Sequence, residues 1–218
     1  MNLEQIKLDL TSTELQARLR ALTALQAFDT ATAVPLLCSR LEDGEYLVRL
    51  GVAIGLGRKR SPQAYQALES LLQDSEASVR AEAVLSLSRF GLMALNTIIN
   101  TFRADTHALV RGSILEAIAI LPLPLELFKI CSLALADEDV ALQEAAVLAF
   151  GQFAKTEMQT AALDHLQPLA QSRHAVVRAA LARSLHAFDN YRARELLKQL
   201  HDDTDHRVVA AVLEGLIS

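Results

Sequence analysis

The sequence predicts an all-α protein, a right-handed α-solenoid of stacked helix pairs. Three observations support this fold class. Ala and Leu dominate the 218 residues, Trp is absent, and only eight Gly and five Pro occur, which is typical of helix-rich chains. Apolar residues recur at helical spacing along the chain. An Asp-to-Arg pattern also returns about every 31 residues, which indicates a repeat architecture.

The repeat is clearest between Asp74 and Phe90, where the chain reads DSEASVRAEAVLSLSRF. Alignment on Arg80 places one anchor residue in each of seven units: Arg18, Arg49, Arg80, Arg111, Gln143, Arg178 and Val209. Six residues before each anchor stands a residue of a type that caps helices: Ser12, Asp43, Asp74, Asp105, Asp137, Ser172 and Asp203. We therefore expect these seven residues to be the N-caps of one helix per unit.

Two apolar rows follow the anchors and predict the buried stripe of these helices. Three residues after the anchors come Ala21, Val52, Ala83, Ile114, Ala146, Leu181 and Val212. Seven residues after them come Leu25, Leu56, Leu87, Ile118, Phe150, Leu185 and Leu216. A short helix with one such stripe cannot bury it alone, so the units are expected to stack on one another.

A second helical segment precedes each anchor helix, so every unit is predicted to be helix, turn, helix, with about fourteen helices in all. Ser61 before Pro62 and Asn190 predict N-caps, and Thr156 with Gln159 predicts a capping box. The predicted repeats form one domain, residues 1–218, with approximate bounds 1–28, 29–59, 60–90, 91–121, 122–154, 155–188 and 189–218.

Prolines interrupt the regular pattern in the second half of the chain. The run Leu-Pro-Leu-Pro at 121–124 predicts a stiff joint before a helix that begins near Pro124. Pro168 lies late in the first helix of the sixth unit and is expected to kink that helix. A domain boundary near residue 122 is the alternative to a single domain, and the unbroken repeat favours one domain.

Composition and charge exclude several classes of protein. The net charge is −5 with mixed signs and no basic stripe, which argues against a nucleic-acid partner. The sequence predicts neither a signal peptide nor a membrane span, and so a cytoplasmic protein. Cys38 and Cys131 lie inside helical patterns, and we interpret both as buried free thiols in a reducing compartment.

The Asp-x5-Arg opening of an anchor helix, followed by the Ala/Val and Leu rows, resembles HEAT repeats. The segments that carry the resemblance are DSEASVRAEAVLSLSRFG (74–91), EDGEYLVRLGVAIGLG (42–57) and DEDVALQEAAVLAFGQFA (137–154). Their short period resembles the HEAT-like repeats of the cyanobacterial phycobilin lyase group, including its small relatives in phycobilisome degradation and chromophore release. The resemblance implies about seven helix pairs, a phycobiliprotein subunit as partner, and a bilin as transient ligand with no permanent cofactor. It supplies no catalytic signature.

The Asp and Arg rows are interpreted as a structural ladder between repeats, because in HEAT patterns the Arg reaches acids or carbonyls of neighbouring turns. A row of arginines that binds an anionic ligand is the alternative. The ladder residues are Asp43, Arg49, Asp74, Arg80, Asp105, Arg111, Asp137 and Arg178.

The non-repeating positions of the anchor helices are the candidate partner-binding site, a predicted concave groove with an apolar strip. Its residues are Arg20, Ile54, Arg58, Glu82, Leu85, Glu116, Leu148 and Arg183. Small residues nearby leave room for a partner or, alternatively, allow tight helix packing: Gly51, Gly55, Ser86, Ser113 and Ala117. The basic run Arg58-Lys59-Arg60 either complements a helix C-terminus or anchors carboxylates of an acidic protein or of bilin propionates.

The histidines and the last helix are two further features of the sequence. The late histidines lack paired spacing, so no metal site is expected, and no catalytic constellation is visible. The last helix is apolar on almost all sides from Val208 to Ile217, which predicts a self-association or partner surface.

The predicted function is therefore protein binding, most specifically action on phycobiliproteins as a bilin-lyase-like or chromophore-releasing factor. The alternative is a non-catalytic adaptor or assembly scaffold for an unrelated protein.

Overall fold

The computed structural model describes residues 1–215, and every regular element in that range is helical. The described residues form fourteen α-helices: α1 Leu3–Leu10, α2 Leu15–Ala24, α3 Thr30–Cys38, α4 Tyr46–Gly57, α5 Pro62–Leu71, α6 Ala77–Ser88, α7 Leu95–Ala104, α8 Ala108–Ala119, α9 Pro124–Leu135, α10 Val140–Phe150, α11 Gln159–Leu166, α12 Ala175–Leu185, α13 Tyr191–His201 and α14 His206–Glu214. Short 3-10 segments cover Leu25–Ala27, Gly91–Ala94, Gly151–Phe153 and Gln167–Gln171. The predicted all-α fold of helix pairs is confirmed.

The chain divides into two compact units, Met1–Ala117 and Ile118–Ser218. In the first unit the even-numbered helices α2, α4 and α6 pack side by side, and each also packs against the odd-numbered helix before it. In the second unit α10, α12 and α14 also pack side by side; α10 packs against α9 and α14 against α13, whereas α12 packs against the 3-10 segment Gln167–Gln171 that follows α11. We call the even-numbered helices the second helices of their pairs. The single domain predicted for residues 1–218 stays a prediction.

The core of each unit is built from the two predicted apolar rows. The described side chains of both rows are buried, from Ala21 and Leu25 in α2 and the segment after it to Val212 in α14. Leu216 lies outside the described residues. Burial of these rows between successive second helices removes apolar surface from water, at about 25 cal/mol per Å².

The second helices begin later than the caps predicted from sequence. Helix α6 begins at Ala77, and its N-cap position is Glu76, two residues after Asp74. The same offset places Glu45 rather than Asp43 before α4, and Asp205 rather than Asp203 before α14. The N-cap assignment of this row is therefore wrong. The Asp74 Oδ1 atom instead accepts a hydrogen bond from the Glu76 N–H at 2.9 Å, which shapes the turn that leads into the helix.

Three other helix starts test the local signals. Ser61 and Asn190 cap α5 and α13, since their side chains accept from the N–H groups of Ala64 and Ala193, and both predictions are confirmed. The capping box of Thr156 is wrong, because α11 begins only at Gln159. Thr156 Oγ1 accepts from the Met158 N–H, and Gln159 bonds the Ala154 carbonyl instead of closing a box.

The helix start predicted near Pro124 is confirmed, whereas the helix before Pro168 ends instead of continuing with a kink. Helix α9 begins at Pro124, and α11 ends at Leu166 with a 3-10 segment that contains Pro168. Both cysteines are free; Cys131 is buried, and Cys38 is half-buried rather than fully buried as predicted. Burial raises the pKa of the Cys131 thiol to about 12 and also raises the pKa of Cys38, so neither favours the reactive thiolate.

Candidate functional site

The Arg and Asp rows meet as a ladder in which each arginine binds the aspartate of the next repeat. Arg49 donates from Nε to Asp74 Oδ2 at 2.6 Å and from Nη2 to Oδ1 at 2.8 Å. Arg80 holds Asp105 in the same way, at 2.6 and 3.2 Å. These bidentate pairs are the geometry that a planar guanidinium and a carboxylate favour.

Each ladder arginine also binds its own repeat. Nη1 of Arg49 donates to the Asp43 carbonyl at 2.8 Å, and Nη1 of Arg80 donates to the Asp74 carbonyl at 2.8 Å. Arg178 repeats both contacts in the second unit, to Asp203 and to the Ser172 carbonyl. One guanidinium therefore ties the turn of its own repeat to the turn of the next.

Their surroundings lower the pKa of two aspartates in this row, Asp74 and Asp203. Burial by itself raises the pKa of Asp74, but the hydrogen bonds from Arg49 and the Glu76 N–H outweigh it and lower that pKa. The pKa of Asp203 is lowered chiefly by the hydrogen bond from Arg178. A folded-state pKa below the unfolded value stabilises the fold above about pH 4, and this stabilisation is lost as pH falls through the folded-state value.

Arg111 and Gln143 are the next two anchor residues, and the second of them is an amide. Arg111 donates to the Thr106 carbonyl at 3.2 Å. Gln143 occupies the next anchor position, and its Nε2 atom donates to the Asp137 carbonyl at 2.6 Å. Gln143 thus keeps the bond to its own repeat. Its single NH2 group cannot form the bidentate pair that a guanidinium forms with a carboxylate. The assignment of all eight ladder residues to a structural role stays a prediction.

The outward positions of the second helices form the candidate partner-binding surface, which we call the second-helix face. In the first unit Arg20 and Glu116 are exposed, whereas Ile54, Leu85 and Glu82 are half-buried. Ile54 and Leu85 occupy equivalent positions on α4 and α6, two helices that pack against each other. They form a short apolar strip with charged side chains beside it.

Glu82 is a half-buried carboxyl of this face. Burial raises its pKa, while a hydrogen bond with Ser86 Oγ at 3.2 Å and the charges of Arg89 and Arg58 oppose that rise. Ser86 Oγ also bonds the Ala53 carbonyl at 2.9 Å, and a hydroxyl has only one proton to donate.

The small residues are used by helix packing and leave no room for a partner. A Cβ added at Gly51 would lie 2.9 Å from a Leu22 methyl, and one at Gly57 would lie 2.3 Å from Ser86 Oγ. A Cβ added at Gly55 would lie 2.8 Å from a Leu37 methyl group. Ser86, Ser113 and Ala117 are themselves buried. Of the two interpretations given for these residues, tight packing is the one that the structure supports.

In the second unit the face has the same pattern of one apolar residue beside charges. Leu148 on α10 is 43% exposed. Arg183 on α12 donates to Glu214 of α14 at 3.0 Å, and both side chains are exposed. An exposed ion pair of this kind contributes little to stability and leaves both groups accessible.

The basic run lies where α4 ends. Arg58 is the C-cap residue of α4 and bonds Gln26 through its side chain, and Lys59 bonds the carbonyl of Phe28. Arg60 is exposed and makes no hydrogen bond or ion pair with any residue in the range 1–215. Arg89, which sequence reasoning missed, ends α6 as Arg58 ends α4, nine residues after its anchor. That common offset was the available signal.

The last helix buries part of its apolar surface. Val208, Ala211 and Val212 are buried, while Leu213 is 40% exposed and Ala210 is exposed. Ile217, included in the predicted self-association surface, lies outside the described residues. Self-association through Val208–Ile217 stays a prediction.

The histidines do not converge. His201 lies 3.2 Å from Asp202, and among residues 1–215 no group of three His, Cys, Asp or Glu side chains could hold a metal ion. His165 instead stacks on Phe150 and packs edge-on against Phe128. Within the described part of the chain, no helix is both long and apolar enough to cross a membrane.

Comparison with known proteins identifies the repeat. The family of HEAT repeats matches residues 6–88, 34–119 and 129–217. No curated protein sequence matches the chain. Among solved structures, YibA of Escherichia coli is 18% identical over 100% of this chain and 86% of its own, with a TM-score of 0.68.

A second solved structure is the complex of CpcE and CpcF of phycocyanin lyase from Nostoc sp. PCC7120. It is 20% identical over 100% of this chain and 87% of that chain, with a TM-score of 0.56. At these identities the likeness shows the fold alone. Because the repeat profile covers most of the sequence in three matches, the protein belongs to the family of HEAT-repeat proteins.

Proposed function

We propose that this protein binds another protein through the second helices of its units, each unit taken by itself: through Arg20, Ile54, Glu82, Leu85 and Glu116 in the first, and through Leu148 and Arg183 in the second. The observation that carries the proposal is made in each unit separately: Ile54 and Leu85 are half-buried in the first, and Leu148 is exposed in the second. Apolar side chains ringed by charged ones resemble the centre and rim of a protein interface. The Arg–Asp ladder connects the helices that carry these side chains.

The partner that we propose is a phycobiliprotein subunit. Support comes from the shared fold with the phycocyanin lyase complex, which is itself an assembly of two protein chains. The bilin is then a transient ligand. Arg20 and Arg58 are exposed guanidinium groups that can bind bilin propionates, and the apolar strip can cover the tetrapyrrole plane. Attachment or release would gain its rate from positioning the bilin beside its target cysteine.

The direct test mixes the protein with a phycobiliprotein apo-subunit and free bilin, and separately with the bilin-loaded subunit. We expect a change in bilin absorbance, with covalent linkage to the apo-subunit or loss of bilin from the loaded one. If the protein binds a different partner and leaves the pigment unchanged in both mixtures, the adaptor function replaces the lyase-like one.

Point variants test the surface itself. Leu148→Glu should weaken subunit binding about tenfold, because a charge in an apolar contact must lose its hydration shell. Leu125→Glu is the matched control. Leu125 is also an exposed leucine, but it lies on α9, the first helix of its pair, outside the second-helix face. Equal affinities for the two variants would exclude the second-helix face as the binding surface.

A further inference from the structure

The turns at which α4 and α6 end form a second exposed surface in the first unit. We call it the turn surface and define it by Arg58, Arg60, Arg89, Leu92 and Met93. It lies at the end of the second helices opposite the Arg–Asp ladder, since the ladder arginines stand near the helix starts.

The α4–α5 turn is fixed to the preceding turn of the same unit. Arg58 bonds the Gln26 side chain, and Lys59 donates to the Phe28 carbonyl and to the Gln26 carbonyl. Thr30 Oγ1 donates to the Lys59 carbonyl at 3.3 Å. These bonds hold the backbone beside Arg60 in place while its side chain stays exposed.

The α6–α7 turn is fixed to α5. The ring of Phe90 packs edge-on against Tyr65, with centroids 5.3 Å apart, and Tyr65 OH lies 3.4 Å from the Met93 carbonyl. Gly91 follows with a positive φ of 64°, a conformation that glycine adopts without strain. The turn therefore directs Leu92 and Met93 outward, and they are 71% and 61% exposed.

The cations of this surface lack ionic partners, unlike those of the ladder. Among the described residues Arg58, Arg60 and Arg89 form no salt bridge, whereas Arg49 and Arg80 each hold an aspartate. Glu82 is the acid whose charge interacts with Arg58 and Arg89, and it is half-buried. This basic surface stands on a chain whose net charge is −5.

Arg60 also carries backbone strain. Its φ of 33° lies in the left-handed region, where residues with a Cβ are disfavoured and Gly or Asn is usual. Arg60 therefore occupies a position whose backbone conformation favours glycine. Strained residues of this kind are concentrated at functional sites.

We propose that the turn surface binds an acidic, amphipathic protein segment. Its carboxylates bind the guanidinium groups of Arg58, Arg60 and Arg89, and its apolar side chains pack on Leu92 and Met93. Charge complementarity selects carboxylates, because planar guanidinium groups bind them in bidentate fashion. The two exposed apolar residues select a segment with an apolar face over a uniformly charged polyanion. Of the residues that define this surface, only Arg58 is also among the proposed bilin contacts, and the inference does not depend on a pigment-bearing partner.

Methyl NMR tests the inference at one atom. The chain contains three methionines, Met1, Met93 and Met158, so labelling methionine methyl groups with carbon-13 gives one probe on the surface and two internal controls. The ligand is a synthetic helical peptide with Leu on one face and Glu on the other, and its counterpart carries Lys in place of Glu. We expect the Glu peptide to shift the Met93 signal in a saturable way and the Lys peptide to leave it unchanged.

Variants separate binding from folding. Arg60→Gly should weaken peptide binding at least fivefold while the melting temperature stays the same or rises, because glycine relieves the strain at that position. Arg89→Ala should weaken binding similarly, and Arg103→Ala is the control, since Arg103 is exposed near the far end of α7. Weaker binding in 0.5 M NaCl would support the ionic part.

Three results would overturn the inference: no shift of Met93 with the Glu peptide, the same affinity in Arg60→Gly, Arg89→Ala and the wild type, or a Met93 shift with anionic vesicles or duplex DNA at lower concentrations than with the peptide. The last result would make the surface a general polyanion site. Failure of phycobiliprotein binding would leave the inference intact, because the peptide titration does not involve that partner.

Discussion

The second helices of the first unit begin and end in different chemistry. At their starts, arginines and aspartates repeat along the stack and each charge is matched, as in Arg49–Asp74 and Arg80–Asp105. At their ends, Arg60 and Arg89 have no ion pair within the described residues. There the helices α4 and α6 are in close contact, with Gly57 packed against Ser86. We therefore expect the paired charges to stabilise the fold and the unpaired charges to be available to a partner.

The largest expected effect lies at the ladder. Arg80→Ala removes a bidentate partner from Asp105 and the hydrogen bond to the Asp74 carbonyl. An almost buried carboxylate is left without its cation, so the free energy of unfolding should fall by about 3 kcal/mol. Urea unfolding measures it against Arg103→Ala, which should change the free energy by less than about 0.5 kcal/mol. Similar values for both variants would remove the distinction between paired and unpaired arginines.

The next effect tests the close approach at the helix ends. Gly57→Ala places a Cβ within 3.0 Å of the Ser86 backbone, and overpacking of this kind costs about 1–3 kcal/mol. Gly112→Ala is its control, because nothing lies within 4 Å of the added Cβ. That second change should stabilise the protein by about 0.5–1 kcal/mol through helix propensity. Thermal unfolding of both variants should therefore move in opposite directions.

A smaller effect is expected from a double substitution that restores the Arg–Asp pair at the position where Gln143 interrupts the ladder of the second unit. Gln143 and Ser172 line the same surface cavity and occupy an anchor and the next aspartate position. Gln143→Arg with Ser172→Asp should gain about 1 kcal/mol over the sum of the single changes, since each new charge lacks a partner without the other. A double-mutant cycle with no coupling would show that the ladder geometry does not extend to this pair.

The smallest effect concerns Glu82, whose pKa is raised by burial. A carboxyl with a raised folded-state pKa favours folding when it is neutral, and this contribution is lost as pH rises above about 4. Glu82→Gln should therefore gain stability relative to the wild type at pH 7 and lose that advantage near pH 4. Melting curves at the two pH values measure the difference. A constant difference would mean that Glu82 is not desolvated.

Sequence alone predicts the parts of this fold that depend on spacing. The apolar rows, the caps at Ser61 and Asn190 and the helix start at Pro124 follow from local chemistry. The N-cap prediction for Asp74 failed because an aspartate has two competing uses. Its carboxylate is taken by Arg49 of the preceding repeat, and that contact exists only after the repeats stack.

The candidate surfaces were predictable to different degrees. The basic run at Arg58 is visible in the sequence, whereas the exposure of Leu92 and Met93 depends on the packing of Phe90 against Tyr65. Small residues such as Gly55 were open to two interpretations, because a missing side chain can admit either a partner or a neighbouring helix. Only the position of Leu37 decides between them.

The most direct test of the comparison between the two helix ends measures stability and Glu-peptide binding on the same pair of variants. Arg80→Ala should lower the free energy of unfolding by about 3 kcal/mol and keep the peptide affinity of the folded protein. Arg60→Gly should keep the stability within about 0.5 kcal/mol and weaken binding at least fivefold. The account is contradicted if Arg60→Gly lowers stability and retains full peptide affinity.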